Sequence, residues 1–371
     1  MQFSEEQTLL LETAQRFCRE RSSIADVRAA IDKVDTFDHN LWQQIVDMGW
    51  LSVAVPEEFH GLGMGLAGLT PIAESMGRYL LGSPWLATTL AQLAVLHNGD
   101  ADQQQHYLAQ LQGGDIGTVA LVEADGNWDL TAVQSRAVDN GQTLGLEGGK
   151  CQVLDAAAAD VLVVSVKLDG VVRLLVIHGD QLPAGCIQRE VVLDETRRSY
   201  TLALDGLQIP KAQLLAGTDL QAIEHAALLL LCAEMAGGQA GALATIIEYL
   251  NTRKQFDKLI GSYQALKHPT VDILLAGEAA KSYAYHAAEV ADRGDRAAAD
   301  TALRMAKAHC SEAFAYAGDR AVQFHGGFGF TYDCDAQLYL RRAIWAQHQY
   351  GDERHHRQLL APALLDTDVT V

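Results

Sequence analysis

The chain has 371 residues, 49% hydrophobic and 20% charged, which excludes a disordered polymer and supplies enough apolar material for two or three packed units. Its formal charge of −19 sets a surface field that repels phosphate backbones and anionic lipid, so neither nucleic acid nor a membrane is expected as a partner. The six cysteines, Cys18, Cys151, Cys186, Cys232, Cys310 and Cys334, have no short pairwise spacing, which argues against a zinc knuckle or disulfide framework and for a reducing cytoplasm.

The opening Met1-Gln-Phe-Ser-Glu-Glu-Gln7 lacks a basic region leading into an apolar core, so no signal peptide is expected. From Ser4 to about Gly114 apolar residues recur every three or four positions, as in Leu9, Leu10, Ala14, Phe17 and in Leu41, Ile45, Met48, predicting amphipathic helices. Between Asp115 and about Leu215 the texture changes to short β-branched runs, Val161-Leu-Val-Val-Ser-Val166 and Val171-Val-Arg-Leu-Leu-Val-Ile177, separated by Asp169-Gly170. Asp139-Asn140-Gly141 and Asp205-Gly206 add turns of the kind that take positive φ. After Pro210 the helical period returns, with Pro269 and Asp292-Arg-Gly294 as expected breaks between long helices. The apolar stretch Ala226 to Cys232 falls short of the roughly 20 residues of a spanning helix, and Glu224, His225 and Glu234 flank it. The expected organisation is an α+β multidomain chain: a helical domain over 1–114, a β domain over 115–215 and a helical bundle over 216–371. Closing helices of about 30 residues are long for one compact domain and suggest packing against a second subunit.

Individually the motifs are weak. Gly63-Met-Gly65-Leu-Ala-Gly68 fits a dinucleotide-binding turn, but Pro56-Glu-Glu precedes it where a strand should run, so a glycine-rich connection between helices is the better reading. Arg253-Lys-Gln-Phe256 followed by Gln264 offers a cation, an aromatic ring and an amide suited to a pyrophosphate and an adenine; cations at a helix end also occur for dipole reasons alone. In Gln323-Phe-His-Gly326-Gly327-Phe-Gly329-Phe330 the glycines allow close approach by a ligand or a tight turn. His355 and His356 are adjacent and diverge on a helix, and no His-x-x-x-His or Cys-x-x-Cys occurs, so no metal site is expected. A serine nucleophile elbow and a phosphate loop are also absent from the sequence.

Taken in order, however, these segments resemble the FAD-dependent acyl-CoA dehydrogenases. Val55-Pro-Glu-Glu-Phe-His-Gly-Leu-Gly63, Leu121-Val-Glu123, Leu193-Asp-Glu-Thr-Arg197, Asp205-Gly-Leu-Gln-Ile-Pro210, the two motifs above and Tyr339-Leu-Arg-Arg342 follow the family's sequence of landmarks from residue 4 to about 365. The resemblance implies an N-terminal helical domain, a middle β barrel and a C-terminal four-helix bundle. It further implies FAD as cofactor, an acyl-CoA substrate and electron-transfer flavoprotein as electron acceptor. In that reaction a carboxylate removes the pro-R α hydrogen while the β hydrogen leaves as hydride to the flavin, giving a trans-2-enoyl-CoA.

By that resemblance Arg253, Phe256, Gln264, Gln323, Gly326 and Gly327 are the contacts to the adenosine diphosphate of FAD, donated across a subunit interface. The flavin-ring positions are eroded: Val122 replaces a threonine, and Gln152 and Leu154 replace a tryptophan and a threonine. Valine and leucine have no hydrogen-bond donor to offer. The two places where the family keeps its base hold Tyr350 and Ala227, the latter followed by Leu228 where an arginine is usual. A phenol is a poor base at neutral pH. Glu234, two turns beyond Ala227 on the same helical face, is the candidate substitute, with a plain structural role as its alternative, and Asp352 and Glu353 come next.

The expectation is the base-lacking subunit of a heteromeric dehydrogenase, such as the bacterial heterotetramers of fatty acid or steroid β-oxidation. Its rivals are a self-sufficient homo-oligomer using Glu234 and a non-enzymatic, acyl-CoA-binding subunit. Straight-chain, branched, steroid and dicarboxylic acyl groups all stay open.

Overall fold

A computed structural model describes residues 5–33 and 37–365, so the first four residues of the segment read for a leader lie outside the described residues. The chain opens with helices α1 (Glu5–Arg21), α2 (Ile24–Asp32), α3 (His39–Asp47), α4 (Gly65–Arg78), α5 (Trp85–Asn98) and α6 (Ala101–Gln112). The starts of α3 and α6 follow from short polar caps: Asp38 accepts from the amides of Asn40 and Leu41, and Asp100 and Gln103 form a reciprocal capping box. Strands follow: β1 (Gly117–Ala120), β2 (Arg136–Asp139), β3 (Thr143–Glu147), β4 (Gly149–Leu154), β5 (Val161–Leu168), β6 (Val171–His178), β7 (Ile187–Arg189), β8 (Ser199–Ala203) and β9 (Gln208–Pro210). Then come α7 (Leu220–Thr252), a small hairpin of β10 (Lys254–Gln255) and β11 (Lys258–Leu259), α8 (Gln264–Asp292), α9 (Arg296–Phe324), α10 (Ala336–His348) and α11 (Glu353–Leu365). The order expected from the sequence, α, then β, then α, is the one adopted.

These elements divide into two compact units. One contains residues 30–65 and 83–226 and holds all of β1 to β9. Its larger sheet runs β1-β5-β2-β3-β9, with β6 also on β5, and the smaller runs β4-β8-β7. β5 is buried along Val161–Val166, which is why it reads as a continuous apolar run rather than an alternating one. Asp169 and Gly170, at φ 51° and 80°, close β5 onto β6, as expected of that dipeptide. Helix α5 packs on β1.

The other unit, among the described residues, contains 5–29, 66–82 and 227–365 and is mainly helical, with α9 packed against α8, α10 and α11. Helix α7 has a window of mean hydropathy 1.4, long and apolar enough to cross a membrane, but 89% of that window is buried inside the protein, the position of a bundle core helix. It approaches α4 closely because both surfaces are bare: a Cβ on Gly77 would stand 2.0 Å from the Glu234 carbonyl oxygen, and one on Gly237 1.8 Å from that of Glu74. The expected break at Pro269 is not found. Pro269 lies in the second turn of α8, where it removes one ladder hydrogen bond, and the interruption falls instead on the hairpin before Gln264. The break at Gly294, φ 81°, is where the sequence puts it.

Candidate functional site

The residues expected at the adenosine diphosphate lie together on the surface of the helical unit. Arg253 follows the last turn of α7, its amide bonded to the Tyr249 carbonyl at 2.9 Å and its own carbonyl to the Ile260 amide at 2.9 Å. Gln255 pairs with Lys258, so Phe256 and Asp257 form a two-residue turn, and their φ values of 52° and 60° are those of a tight hairpin. That turn lifts the Phe256 ring into solvent, 86% exposed. Gln264 opens α8 and is exposed; Gln323 is exposed near the end of α9. The two motifs meet through Tyr249, whose ring stacks on His325 at 4.1 Å, one turn before Arg253 and two residues after Gln323. The glycines differ in kind. Gly329 is required by its own chain, since a Cβ there would stand 2.0 Å from the Val322 carbonyl oxygen, whereas Gly327 would place its Cβ in open space. An exposed guanidinium, an aromatic face, two amides and bare backbone are a donor set that fits the adenosine diphosphate of a dinucleotide.

Gly63 to Gly68 does not join this set. The first amides of α4, Leu66 and Ala67, are each bonded at 2.9 Å to the Asp292 carboxylate, so the helix end that would hold a phosphate already holds an anion.

In the β unit, Val122 is hydrogen-bonded to the segment that carries Gln152 and Leu154. The Val122 carbonyl accepts from the Cys151 amide at 3.0 Å, and the Leu154 carbonyl from Thr118 Oγ1 at 2.6 Å. A register shift between Lys150 and Val153 puts Gln152 at φ 53°, exposed, with its amide held by Glu190 at 3.0 Å. Beside them is a feature sequence reasoning missed. Lys150 is fully buried and bonded to Glu123 at 2.6 Å, and Glu123 also accepts from the amides of Gln134 and Ser135. The adjacency of Val122 to Glu123 and of Lys150 to Gln152 was the available signal: a lysine within an apolar strand needs a carboxylate partner. Asp155, next to Leu154 and at φ 53°, was also missed. Burial raises its carboxyl to about 6 against the pull of Arg197, Arg198 and Arg189.

The base positions lie on two elements of the bundle. Ala227 is fully buried on α7, as is Leu228. Tyr350, at φ 55°, and Gly351, at φ 100°, form the turn between α10 and α11. Beneath that turn the Lys307 ammonium donates to the carbonyls of Gly351 and Gln347 at 2.7 and 2.9 Å; burial pulls it down to about 8. His356, buried in the same place, is lowered to about 3 by desolvation and then by Lys307 and Arg304, and is neutral. Glu234 is 4% exposed and accepts from Arg342 Nη1 at 2.5 Å, the arginine side chain being wholly buried. Asp352 accepts from the His355 amide and Glu353 from Gln347, so both remaining carboxylates are engaged locally.

Residues 4–115 match the family model described as acyl-CoA dehydrogenase, N-terminal domain, and residues 220–365 the one described as acyl-CoA dehydrogenase, C-terminal domain. Over 341 residues, 91% of each chain, the sequence is 31% identical to acyl-CoA dehydrogenase IpdE2 of Mycobacterium tuberculosis. The chain belongs to the acyl-CoA dehydrogenase family. Among solved structures, this acyl-CoA dehydrogenase is similar to the ChsE4-ChsE5 complex of Mycobacterium tuberculosis, with TM-score 0.89, 24% identity and 99% of each chain covered. It is also similar to a variant of the Tcur3481-Tcur3483 steroid ACAD, with TM-score 0.88, 26% identity and 98% of each chain covered. Members are oxidoreductases acting on CH–CH bonds, and their cofactor is FAD.

Proposed function

We propose that the chain is the base-lacking subunit of a heteromeric acyl-CoA dehydrogenase, giving Arg253, Phe256, Gln264, Gln323, Gly326 and Gly327 to an FAD whose ring sits in a homologous partner. One observation carries this reading: Glu234, the carboxylate two turns beyond Ala227 on the same face of α7, is locked in a buried pair with Arg342, leaving Tyr350 and Ala227 unreplaced. A carboxylate whose lone pairs already hold a guanidinium abstracts a carbon-bound proton poorly. At the ring positions Val122 and Leu154 contribute apolar surface without a donor.

When bound, FAD supplies the acceptor for the β hydrogen of the acyl-CoA. In this reading the work of the present chain is to hold the pyrophosphate with Arg253, to cover the adenine with Phe256 and to admit the diphosphate over bare glycine backbone. The partner supplies the base, and electron-transfer flavoprotein takes up the electrons. Two solved relatives whose names pair two components, ChsE4-ChsE5 and Tcur3481-Tcur3483, support an unlike partner, and the latter's description favours a steroid acyl group over a simple fatty acid.

The test is co-expression with the chains encoded by its genomic neighbours, reading subunit composition and visible spectrum together. The expected product is a yellow complex of two unlike chains. A homo-oligomer with one flavin per chain and full turnover overturns the proposal.

A further inference from the structure

The loop from His325 at the end of α9 through Gly326 and Gly327 to α10 is suspended between two anchors. One is the stack of Tyr249 on His325. The other comes from the opposite end of the chain, 304 residues away. Arg28, on α2, donates through Nη1 to the Tyr332 carbonyl at 2.7 Å and through Nη2 to Asp335 Oδ1 at 2.8 Å. Its guanidinium also lies over the Tyr332 ring, 5.6 Å from the centroid, and Arg341 lies 5.8 Å from the same centroid. A rigid, permanently charged fork bonded to a carbonyl and a carboxylate and stacked on a ring fixes direction as well as distance. Between the anchors the backbone bonds within the loop itself, Gly329 to Gly326, Thr331 to Phe328 and Cys334 to Thr331, while Phe328 and Phe330 stand 48% and 76% exposed. Such a segment has little of its own to hold it in one form, so its end anchors decide how often it is in the binding form.

We propose that Arg28 is a positioning residue for the cofactor, holding the His325–Phe330 loop, with Gly326 and Gly327, in the form that receives the adenosine diphosphate of FAD. This rests on the half-site reading given above. Arg28 acts through the loop backbone and ring, without contact to the reacting atoms. Releasing it leaves the half-site residues in place but lowers the fraction of loops ready to bind, and the apparent dissociation constant rises by the inverse of that fraction.

The experiment is FAD titration of the apoprotein prepared from the flavoprotein as it purifies, with any subunit that accompanies it, followed by flavin fluorescence. Arg28→Ala and Asp335→Asn remove the anchor from its two sides, so one of them serves if the other misfolds; Arg253→Ala reports on the half-site directly. The expected result is an FAD dissociation constant raised about tenfold in both anchor variants, with turnover recovering when FAD is saturating. A purely structural role would lower the apoprotein melting temperature and leave FAD affinity unchanged. Unchanged affinity in a folded anchor variant, beside weakened binding in Arg253→Ala, overturns the role of Arg28. Turnover that stays low at saturating FAD also overturns it. If Arg253→Ala too binds FAD normally, the half-site reading itself falls.

Discussion

Glu234 and Arg342, 108 residues apart, meet in the interior of the helical unit, and their burial decides what Glu234 can be used for. Removing one partner of a buried pair strands the other charge, whereas removing both for apolar groups of similar volume is often neutral. Glu234→Gln is therefore expected to lower stability by about 3 kcal/mol, with a much smaller loss in Glu234→Met combined with Arg342→Leu. Urea denaturation measures both. Turnover per folded flavoprotein should stay within about tenfold of the parent in Glu234→Gln; a loss of several orders of magnitude with FAD still bound would make Glu234 the base after all. Lys307 gives a second prediction at this scale. Its folded value near 8 lies below the ordinary lysine value of 10.5, so the buried charge is a penalty below pH 8. Between pH 8 and 10.5 the unfolded chain holds the proton and the folded chain does not, and stability from this group rises with pH. Relative to Lys307→Met, the parent should gain roughly 1 kcal/mol per pH unit across that window. Equal slopes in the two proteins would show that Lys307 keeps an ordinary lysine affinity for its proton.

Among the elements, the crossing of α4 and α7 depends on glycine. Gly237→Ala drives a methyl into the Glu74 carbonyl and must push the helices apart, disturbing Glu74, which is bonded to Lys281 at 2.9 Å and Tyr285 at 2.5 Å. A cost of about 2–3 kcal/mol is expected. Gly327→Ala is the contrasting case. Its methyl meets no atom within 4 Å among the described residues, so stability should hold, and only FAD binding should weaken if the backbone there receives the diphosphate. Equal effects of the two changes on stability would refute that distinction. At this scale much was legible in the sequence. Three- and four-residue periods give the helices, and Asp169-Gly170 gives the β5–β6 turn. Pairing order was not, because the neighbours of β5 are set by contacts far along the chain: it pairs in parallel with β1 and β2 and antiparallel with β6. Pro269 misled for a related reason. Proline stops a helix from its interior but is tolerated near its beginning, and the sequence alone does not place the beginning.

For the whole molecule, the chain is shared between two compact units in alternating segments, and helices α2, α4 and α7 each cross a boundary between them. No composition shift marks such boundaries, since the same apolar periodicity serves both units; only the change to strands near residue 115 and back near 215 is written locally. The site was legible in the same partial way. Motifs carried by short contiguous runs, at Arg253–Phe256 and Gln323–Gly327, stand out, while Arg28–Tyr332, Glu123–Lys150 and Glu234–Arg342 join positions whose residue types are unremarkable alone. The proposed division of labour between two chains makes a prediction that neither chain makes by itself. In the proposed complex, Tyr350→Phe in this subunit should leave turnover within about twofold, because a phenol is a poor base at neutral pH. Replacing the aligned glutamate of the homologous partner by glutamine should remove several orders of magnitude. Stopped-flow flavin bleaching by acyl-CoA separates the two, since only the base step is altered and FAD stays bound. Bleaching lost in Tyr350→Phe and retained in the partner variant would reverse the assignment and make this chain the one that carries the chemistry.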